Sequence, residues 1–381
     1  MTRPIIIIGT GLAGYNLARE FRKLDKNTPL HLITRDAGEF YSKPLLSSSL
    51  ASNKQPDQLA MKTATQMASE LGAEIHTQQA VTHIDPAQQT VQLADRKLDF
   101  EKLVLAVGAD PIRPHLAGDA ADAILTVNDL EDYRQCRAHL IGKKRVAILG
   151  AGLIGCEFAN DWSQAGLEIT LVDPAAWPLS RLLPEQAGRF MQRRLEDLGI
   201  QLRLGHAARA VSRSATGFVI ELAQGDTLEA DVVLSAIGLQ PRTDLASQAG
   251  LAISRGIVVD RHLQTSHPAI YALGDCAEVA GLNLPFVMPI MQAARSLAPI
   301  LAGQTAALAY PAMPVLVKTP ACPTTVCPVM GAPTGEWAIQ ETATGLKALY
   351  QAGDQLLGFA LLGDVQSEKQ TLVAQIPAWL P

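Results

Sequence analysis

The chain has 381 residues, of which 48% are apolar and 18% are charged, and its formal net charge is −5. A chain of this length exceeds what one hydrophobic core usually supports, so we expect two or three domains. The slightly acidic balance gives no reason to expect a nucleic-acid-binding surface. No apolar run approaches the roughly 20 residues that a helix needs to cross a bilayer, so no membrane partner is expected.

The N-terminus and the cysteines indicate the cellular compartment. The first predicted strand begins close to Met1, which leaves no room for the basic segment and cleavage site of a secretory signal, so we expect a cytoplasmic protein. The five cysteines are odd in number and spread along the chain, which argues against a disulfide framework. Cys322 and Cys327 alone lie close together, but their spacing fits neither a C-x-x-C redox motif nor a zinc site. We therefore expect buried thiols and no metal site.

The first predicted element is a strand formed by the four isoleucines at positions 5–8, whose unbroken β-branched run is typical of a parallel strand buried on both faces. The turn Gly9-Thr10-Gly11-Leu12-Ala13-Gly14 follows at once, and a helical pattern begins within it. Gly9 permits the tight turn, Gly11 lets a pyrophosphate approach the backbone, and Gly14 lets the helix pack closely on the strand. Free N–H groups and the helix dipole would then face the phosphates. The stretch predicts a dinucleotide site.

The second strand of this unit, residues 30–34, is followed by an unusual sequence. In many dinucleotide-binding folds an acidic residue at this point binds the adenosine ribose. Thr34-Arg35-Asp36 occupies that place here. The ribose contact therefore falls either to Asp36 or to Thr34 and Arg35. Lys43 follows in a loop, near the expected middle of a bound dinucleotide, although it could also be a solvated surface lysine.

A second copy of the motif begins with the apolar strand 145–149 and continues as Gly150-Ala151-Gly152-Leu153-Ile154-Gly155 into a helix that ends near Gln164. One such motif could be an ordinary tight turn between a strand and a helix. Two copies in one chain indicate two dinucleotides that meet face to face. The breaks at Pro111, Pro114 and Gly118 mark the crossing between the two units.

The next strand of the second unit, residues 168–173, ends in Asp173 at the expected distance. A carboxylate there accepts hydrogen bonds from ribose hydroxyls and repels a 2′-phosphate, which favours NADH over NADPH. Arg181 and Arg189 lie further along and could weaken that preference.

Later elements complete the pattern. A strand over 231–238 ends in a glycine turn, and the strand over 270–275 ends in Gly274-Asp275. Asp275 could accept a hydrogen bond from a ribityl hydroxyl, or it could cap a following helix. We predict helices over 127–140 and 289–301. After the second of these helices comes a small Pro- and Gly-rich α+β segment with candidate strands at 337–339, 346–350 and 356–360.

The order of the motifs 9–14, 150–157 and 271–275 resembles that of the FAD/NAD(P) flavoprotein reductases that bind two dinucleotides. Within that family the chain is most similar to the bacterial rubredoxin-reducing members. The stretches that carry this closer similarity are residues 9–18, 41–44, 155–161 and 317–323.

The resemblance implies an α/β fold with two Rossmann-like dinucleotide-binding domains, one for FAD and one for NADH, and a small C-terminal α+β domain. The FAD domain is expected to be discontinuous, comprising residues 1–115 and 242–313, around an NAD domain of residues 116–241. Residues 314–381 form the expected C-terminal domain.

The resemblance also implies roles for individual residues. Lys43 and Glu157 occupy positions that in such enzymes form a catalytic ion pair beside flavin N5 and the nicotinamide, although Glu157 could simply stabilise the N-terminus of its helix. Asp275 would hold the ribityl chain. Lys318 would lie at the pyrimidine end of the isoalloxazine, where a positive charge stabilises the reduced flavin. The expected cofactor-binding residues are Gly9, Thr10, Gly11, Leu12, Ala13, Gly14, Thr34, Arg35, Lys43, Val81, Gly150, Gly152, Gly155, Glu157, Asp173, Gly238, Asp275, Val287 and Lys318.

The segment 45–50 contains no cysteine, so electrons are not expected to leave through a protein disulfide as they do in related disulfide reductases. The hypothesis is that NADH delivers hydride to FAD and that electrons leave singly to rubredoxin, a small acidic iron protein. The electrons would then supply an oxygenase, as in alkane degradation, or an oxygen- or peroxide-reducing system. Basic residues would assist docking, and the candidates are Arg19, Arg22, Lys23 and Lys26, unless they form an ordinary solvated helix face.

Three other interpretations stay open at this point. The acceptor could be ferredoxin or a flavorubredoxin. The chain could instead be a non-catalytic NADH-sensing flavoprotein that acts through a partner. An NADH or peroxide oxidase would need a reactive cysteine near the flavin, and only Cys276, next to Asp275, offers one.

Overall fold

The computed structural model describes residues 3–331 and 333–381. The helices are α1 (Leu12–Leu24), α2 (Ala64–Leu71), α3 (Leu130–His139), α4 (Leu153–Gln164), α5 (Glu185–Glu196), α6 (Asp244–Gln248), α7 (Val287–Leu301) and α8 (Lys369–Val373). Short 3₁₀ helices span Lys43–Ser48, Pro56–Leu59, Ala121–Ala123 and Val365–Glu368.

The strands fall into three stretches of the chain. The first stretch contains β1 (Ile5–Ile8), β2 (Leu30–Ile33), β3 (Phe40–Tyr41), β4 (Ala60–Lys62), β5 (Glu74–His76), β6 (His83–Asp85), β7 (Thr90–Gln92), β8 (Lys97–Asp99), β9 (Lys102–Leu105) and β10 (Ala109–Pro111). The second contains β11 (Arg145–Leu149), β12 (Glu168–Asp173), β13 (Gln201–Leu204), β14 (Ala208–Arg213), β15 (Phe218–Leu222), β16 (Thr227–Ala230), β17 (Val232–Ser235) and β18 (Leu239–Pro241). The third contains β19 (Ile257–Val259), β20 (Ile270–Ala272), β21 (Ala277–Val279), β22 (Val315–Val317), β23 (Thr324–Cys327), β24 (Glu336–Glu341), β25 (Gly345–Ala352) and β26 (Gln355–Gly363).

A five-stranded parallel sheet forms the first unit, in the order β20-β9-β1-β2-β5. Its central strand β1 is buried on both faces, because each of its four isoleucines is 6% exposed or less. Burying an aliphatic side chain of this size contributes about 2 kcal/mol, so β1 anchors the core. Helices α1 and α7 pack together against this sheet. Strand β20 comes from the chain beyond the second unit, so the sheet is assembled from two separated stretches.

The second unit repeats this design with the parallel order β13-β12-β11-β17. Alternate residues of β11 serve opposite faces, since strand side chains alternate. Val146 and Ile148 join the core beneath α4, while Ala147 and Leu149 pack under the antiparallel sheet β14–β16. The chain enters and leaves this unit through the antiparallel pair β10 and β18, at the predicted break near Pro111.

An antiparallel sheet, in the order β22-β23-β26-β25-β24, makes up the C-terminal part of the chain. All three predicted strands are present, and each is longer than predicted. Val317 and Val326 belong to the same core cluster as Phe158 of α4. This packing brings the end of β22 alongside α4. The predicted α/β class, with two Rossmann-like units and a small C-terminal domain, is confirmed.

Local side chains shift some predicted boundaries. Helix α3 begins at Leu130 because the carboxylate of Asp129 accepts a hydrogen bond from the N–H of Asp132 and caps it. Helix α7 begins at Val287, so that Pro289 falls in the first turn, where its missing N–H costs nothing. Within the two described ranges, the structure contains no helix with the length and apolarity needed to cross a bilayer.

Candidate functional site

The two glycine turns have the same construction. Gly9 and Gly150 have φ values of +112° and +108°, which glycine adopts without strain. A Cβ added to Gly14 would lie 1.9 Å from the carbonyl oxygen of Gly9, and one added to Gly155 would lie 1.9 Å from that of Gly150. The last glycine of each motif therefore permits the contact between helix and strand.

The middle glycines face open space. A Cβ added to Gly11 or Gly152 would meet nothing within 4 Å. Both residues are N-caps, of α1 and α4, and neither helix receives a side-chain capping hydrogen bond there. The first N–H groups of these helices are thus available to an anion, as a pyrophosphate requires.

The other predicted residues of the first turn lie where the motif requires them. Thr10 is 5% exposed, Leu12 begins α1, and Ala13 is 9% exposed. A Cβ on Gly274 would lie 2.9 Å from the Cβ of Ala13, so the segment that carries Asp275 passes directly over α1.

Asp36, the acidic residue after β2, has hydrogen-bond partners within its own turn. The side chain of Thr34 and the N–H of Gly38 both donate hydrogen bonds to Oδ1 of Asp36, each at 2.8 Å. The side chain of Arg35 is 60% exposed, and its guanidinium lies 3.8 Å from Asp110. Val81 is buried in the adjoining core. The same hydrogen bond also occupies the Thr34 hydroxyl, and both Arg35 and Asp36 are exposed, so both alternatives for the ribose contact stay open.

Asp173 lies directly at the second glycine turn. Its carboxylate accepts hydrogen bonds from the N–H groups of Ala151, at 2.6 Å, and Ala175, at 2.7 Å. Gly238 closes the neighbouring turn with a φ of +127°, and a Cβ there would lie 3.5 Å from Ile112. An acceptor at this place can receive ribose hydroxyls.

Glu157 is fully buried and is paired with Lys318. Its Oε1 accepts the backbone N–H of Lys318 at 2.9 Å, and its Oε2 accepts the Ser47 hydroxyl at 2.5 Å and forms an ion pair with the Lys318 ammonium. The predicted Lys43–Glu157 pair is therefore wrong for this structure. The reason is that Lys318 follows β22 directly, and this strand brings its backbone N–H and its ammonium to the Glu157 carboxylate. A buried carboxylate is destabilising unless it is hydrogen-bonded and paired with a positive charge.

Lys43 instead points to a different set of partners. Its ammonium donates to Oδ1 of Asn128 at 2.7 Å, and Nδ2 of Asn128 donates to the carbonyl oxygen of Ala109 at 2.9 Å. Burial lowers the pKa of Lys43, and the nearby charge of Asp275 opposes this effect. Lys43 is not a solvated surface lysine.

Asp275 has a buried oxygen without a partner. Its Oδ1 makes no hydrogen bond to the described residues, and burial raises its pKa while Lys43 and Arg242 act to lower it. The residues that follow form strand β21, not a helix, so the helix-cap interpretation is wrong. A buried, unpaired acceptor at the carboxyl edge of the first sheet fits a hydroxyl donor such as a ribityl chain.

The N-terminus of α7 is also open. Its N-cap, Phe286, makes no side-chain cap, and its first residue, Val287, is 41% exposed. Together with the two open glycine turns and the unpaired Asp275 oxygen, this opening shows that the residues present fit two bound dinucleotides.

The basic residues of α1 have partners within the chain. Arg19 is paired with Glu70 at 2.7 Å, and Arg22 donates to the carbonyl oxygen of Leu71 at 2.5 Å. The N-terminus of α1 lies at the glycine turn, so Arg22 is roughly 16 Å further along the helix axis. Arg19 and Arg22 fasten α1 to α2, which argues against the docking role predicted for them. Lys23 is paired with Glu20, and Lys26 lies beyond the end of the helix.

Sequence reasoning missed three residues of the site. Ser47 bonds to Glu157, Asn128 orients Lys43, and Arg242 donates to Asp110 and to the Val107 carbonyl oxygen at 2.8 and 2.7 Å. Ser47 lies three residues beyond the stretch 41–44, whereas Asn128 and Arg242 lie far in sequence from the motifs, and no local pattern marks the three residues.

All five cysteines are buried and none forms a disulfide. Burial raises the pKa of the Cys276 thiol to about 11 and keeps it protonated at neutral pH. An unreactive thiol next to Asp275 argues against the oxidase interpretation.

Comparison with known proteins agrees with this geometry. Residues 3–298 match the family described as pyridine nucleotide-disulphide oxidoreductase, and residues 307–376 match a rubredoxin binding C-terminal domain. Rubredoxin-NAD(+) reductase from Alcanivorax borkumensis is 50% identical over 380 residues, which cover 99% of this chain and 100% of that protein. Rubredoxin-NAD(+) reductase from Acinetobacter baylyi is 46% identical over 388 residues, with 99% of each chain covered.

A solved structure shows the same architecture. The covalent putidaredoxin reductase–putidaredoxin complex matches with a TM-score of 0.89 and 27% identity, covering 98% of this chain and 94% of that chain. The family match spans both glycine turns and Asp275, which are the features of the site described above. The chain therefore belongs to the pyridine nucleotide-disulphide oxidoreductase family.

Proposed function

We propose that this protein is an FAD-dependent enzyme that transfers electrons from NADH to rubredoxin. The observation that carries the proposal is the combination in one chain of two open glycine turns with a C-terminal segment that matches a rubredoxin binding domain. The two full-length relatives at 50% and 46% identity bear the corresponding name.

The first glycine turn would hold FAD and the second NADH. Bound FAD would supply the conversion of a two-electron donor into single electrons for an iron protein. The chain's own residues bind and orient the reactants. Asp275 would accept a ribityl hydroxyl, Asp173 would accept the ribose of NADH, and Lys43 would keep a positive charge in place through its bond to Asn128.

Electrons would leave directly to the partner protein, not through thiols. The five cysteines are buried, and burial raises the pKa of each of them. None is therefore a ready nucleophile or redox relay.

The domain boundaries stay part of the proposal. An FAD domain of residues 1–115 and 242–313 is supported by β20, which completes the first sheet from beyond the second unit. Residues 116–241 would then be the NAD domain and 314–381 the partner-binding domain. We also propose a cytoplasmic location and a role in alkane hydroxylation.

The central experiment compares electron acceptors. The FAD-loaded protein is given NADH together with rubredoxin, ferredoxin or a flavorubredoxin at several salt concentrations. We expect rubredoxin to be reduced fastest, with a rate that falls as salt screens the docking charges. Arg19→Gln is a matched control, since Arg19 is tied to Glu70, and it should leave the rate unchanged. Faster reduction of ferredoxin or a flavorubredoxin, or no reduction of any carrier, would contradict the proposal.

Nucleotide preference provides a separate test of the second site. Asp173→Ser should reduce the NADH/NADPH ratio of kcat/KM by about tenfold or more, because a charged hydrogen bond to the ribose is lost. The matched control is Asp226→Ser, at an exposed aspartate of the same unit. An unchanged ratio would remove Asp173 from ribose recognition.

A further inference from the structure

Two histidines and a glutamate converge on the outer side of the first sheet. His31 lies on β2, and Glu74 and His76 lie on the edge strand β5. The two strands are parallel, with His31 opposite Glu74 and Ile33 opposite His76. Because residues 74 and 76 share a face of their strand, the three side chains project from the same side of the sheet.

Their ligand atoms are already close to a coordination geometry. Nδ1 of His31 lies 3.1 Å from Nε2 of His76 and 3.7 Å from Oε2 of Glu74, and the last two atoms are 3.8 Å apart. A tetrahedral zinc ion with bonds of about 2.0–2.2 Å holds its ligand atoms about 3.3–3.6 Å apart. Small side-chain rotations would bring all three atoms to this spacing.

The two imidazoles are mostly buried, and the carboxylate is mostly exposed to solvent. The imidazoles of His31 and His76 are only 17% and 14% exposed, while the Glu74 carboxylate is 70% exposed. The two rings are thus held by the fold, and the carboxylate lies on the solvent side. An ion can enter past Glu74, and water can occupy the fourth position.

We propose that His31, Glu74 and His76 form a binding site for a divalent first-row transition metal ion, with Zn²⁺ as the best fit. Two imidazoles and one carboxylate are a ligand set typical of zinc. None of the three residues belongs to the glycine turns or to the ion pairs described above.

Arg96 is the neighbouring charge that the site must accommodate. Its Nη2 lies 3.3 Å from Nδ1 of His76 and 3.1 Å from Oε1 of Gln79, and its Nη1 lies 3.6 Å from Asp95. When Nε2 of His76 binds a metal, Nδ1 carries the proton, so the guanidinium would turn to Gln79 and Asp95. Both acceptors are already within reach.

The ion would fasten the edge strand of the sheet. β5 is the outermost strand, and the carbonyl oxygen of His76 accepts the N–H of Thr34, next to the first nucleotide site. Since Zn²⁺ would bind the folded state more tightly than the unfolded chain, it should raise the thermal midpoint as its concentration rises.

The test uses tag-free, FAD-loaded protein treated with a chelator and then titrated calorimetrically with Zn²⁺ alone. We expect one saturable site, and X-ray absorption of the bound zinc should show nitrogen and oxygen ligands at about 2.0–2.2 Å. Glu74→Gln and His76→Gln should each weaken binding at least about tenfold. His83→Gln, at an exposed histidine on β6, is the matched control and should leave binding unchanged.

Two outcomes would overturn the proposal. One is the absence of saturable Zn²⁺ binding in the wild-type protein. The other is saturable binding that Glu74→Gln leaves unchanged. Glu74 is exposed, so its substitution reports on the site even where a histidine variant fails to fold.

Discussion

Two lysines and two carboxylates lie at the candidate site, and they satisfy their charges in opposite ways. Glu157 receives the Lys318 ammonium, the Lys318 backbone N–H and the Ser47 hydroxyl. Asp275 influences Lys43 only through space, and its Oδ1 has no hydrogen-bond partner among the described residues.

The difference distinguishes a structural group, Glu157, from a group that is free to bind a ligand, Asp275. The Glu157 cluster is complete within the protein, and it joins α4, the segment around Ser47 and the C-terminal sheet. A buried polar atom without a partner costs about 1–3 kcal/mol, and a protein retains such a cost where a ligand later relieves it. Asp275 is therefore the group to test for cofactor binding, and Glu157 is the group to test for stability.

The largest effect is expected from breaking the complete pair. Lys318→Met leaves the Glu157 carboxylate buried with two neutral donors, which should cost about 3 kcal/mol of folding free energy. The loss would be measured as a lower urea midpoint. The control is Lys23→Met at a surface pair, where at most about 1 kcal/mol is expected. Equal losses of folding free energy in the two variants would contradict the assignment of Glu157 as a structural group.

The second largest effect is expected on FAD binding, at the unpaired oxygen of Asp275. Asp275→Ala should weaken FAD binding by about 30-fold, equivalent to about 2 kcal/mol, because a charged hydrogen bond to the ribityl chain is lost. Equilibrium dialysis with flavin fluorescence would measure the Kd. Asp244→Ala, at an exposed aspartate of α6, should have no effect. An unchanged Kd in the Asp275 variant would leave its buried oxygen without a ligand role.

A smaller effect is expected at the lysine that faces Asp275. Lys43→Met should slow reduction of the bound flavin by NADH about tenfold without loss of flavin, since a fixed positive charge leaves the site. Stopped-flow absorbance would follow the reaction. Asn128→Ala should act in the same direction but more weakly, because Asn128 only orients Lys43. The exposed Lys54→Met is the control, and a normal rate in the Lys43 variant would exclude a catalytic role.

The smallest effect is on the stability of the FAD-free protein. Burial raises the pKa of Asp275, so the native state binds its proton more tightly than the unfolded chain does. Stability therefore falls as pH rises from the unfolded pKa through the raised native one. Asp275→Asn does not titrate, and it should raise the thermal midpoint above that interval. The advantage should shrink as pH falls, and one that grew toward acid would contradict this account.

Much of the scaffold could be predicted because its signals are local. The isoleucines of β1 and the glycines at 9, 11 and 14 lie within a few residues of one another, and their steric requirements do not depend on the rest of the chain. The same holds for the second turn and for Asp173. The predicted positions of helix ends are less accurate, since a single capping residue such as Asp129 shifts the start of a helix.

The sequence by itself determined two parallel sheets, two phosphate-binding turns and the family of the protein, because each rests on short-range backbone geometry. Only the tertiary structure decided which charges meet. Lys318 and Glu157 are 161 residues apart, Lys43 and Asn128 are 85 apart, and His31 and His76 are 45 apart. Such partners are chosen by how helices and strands pack, and no periodicity along the chain records that choice.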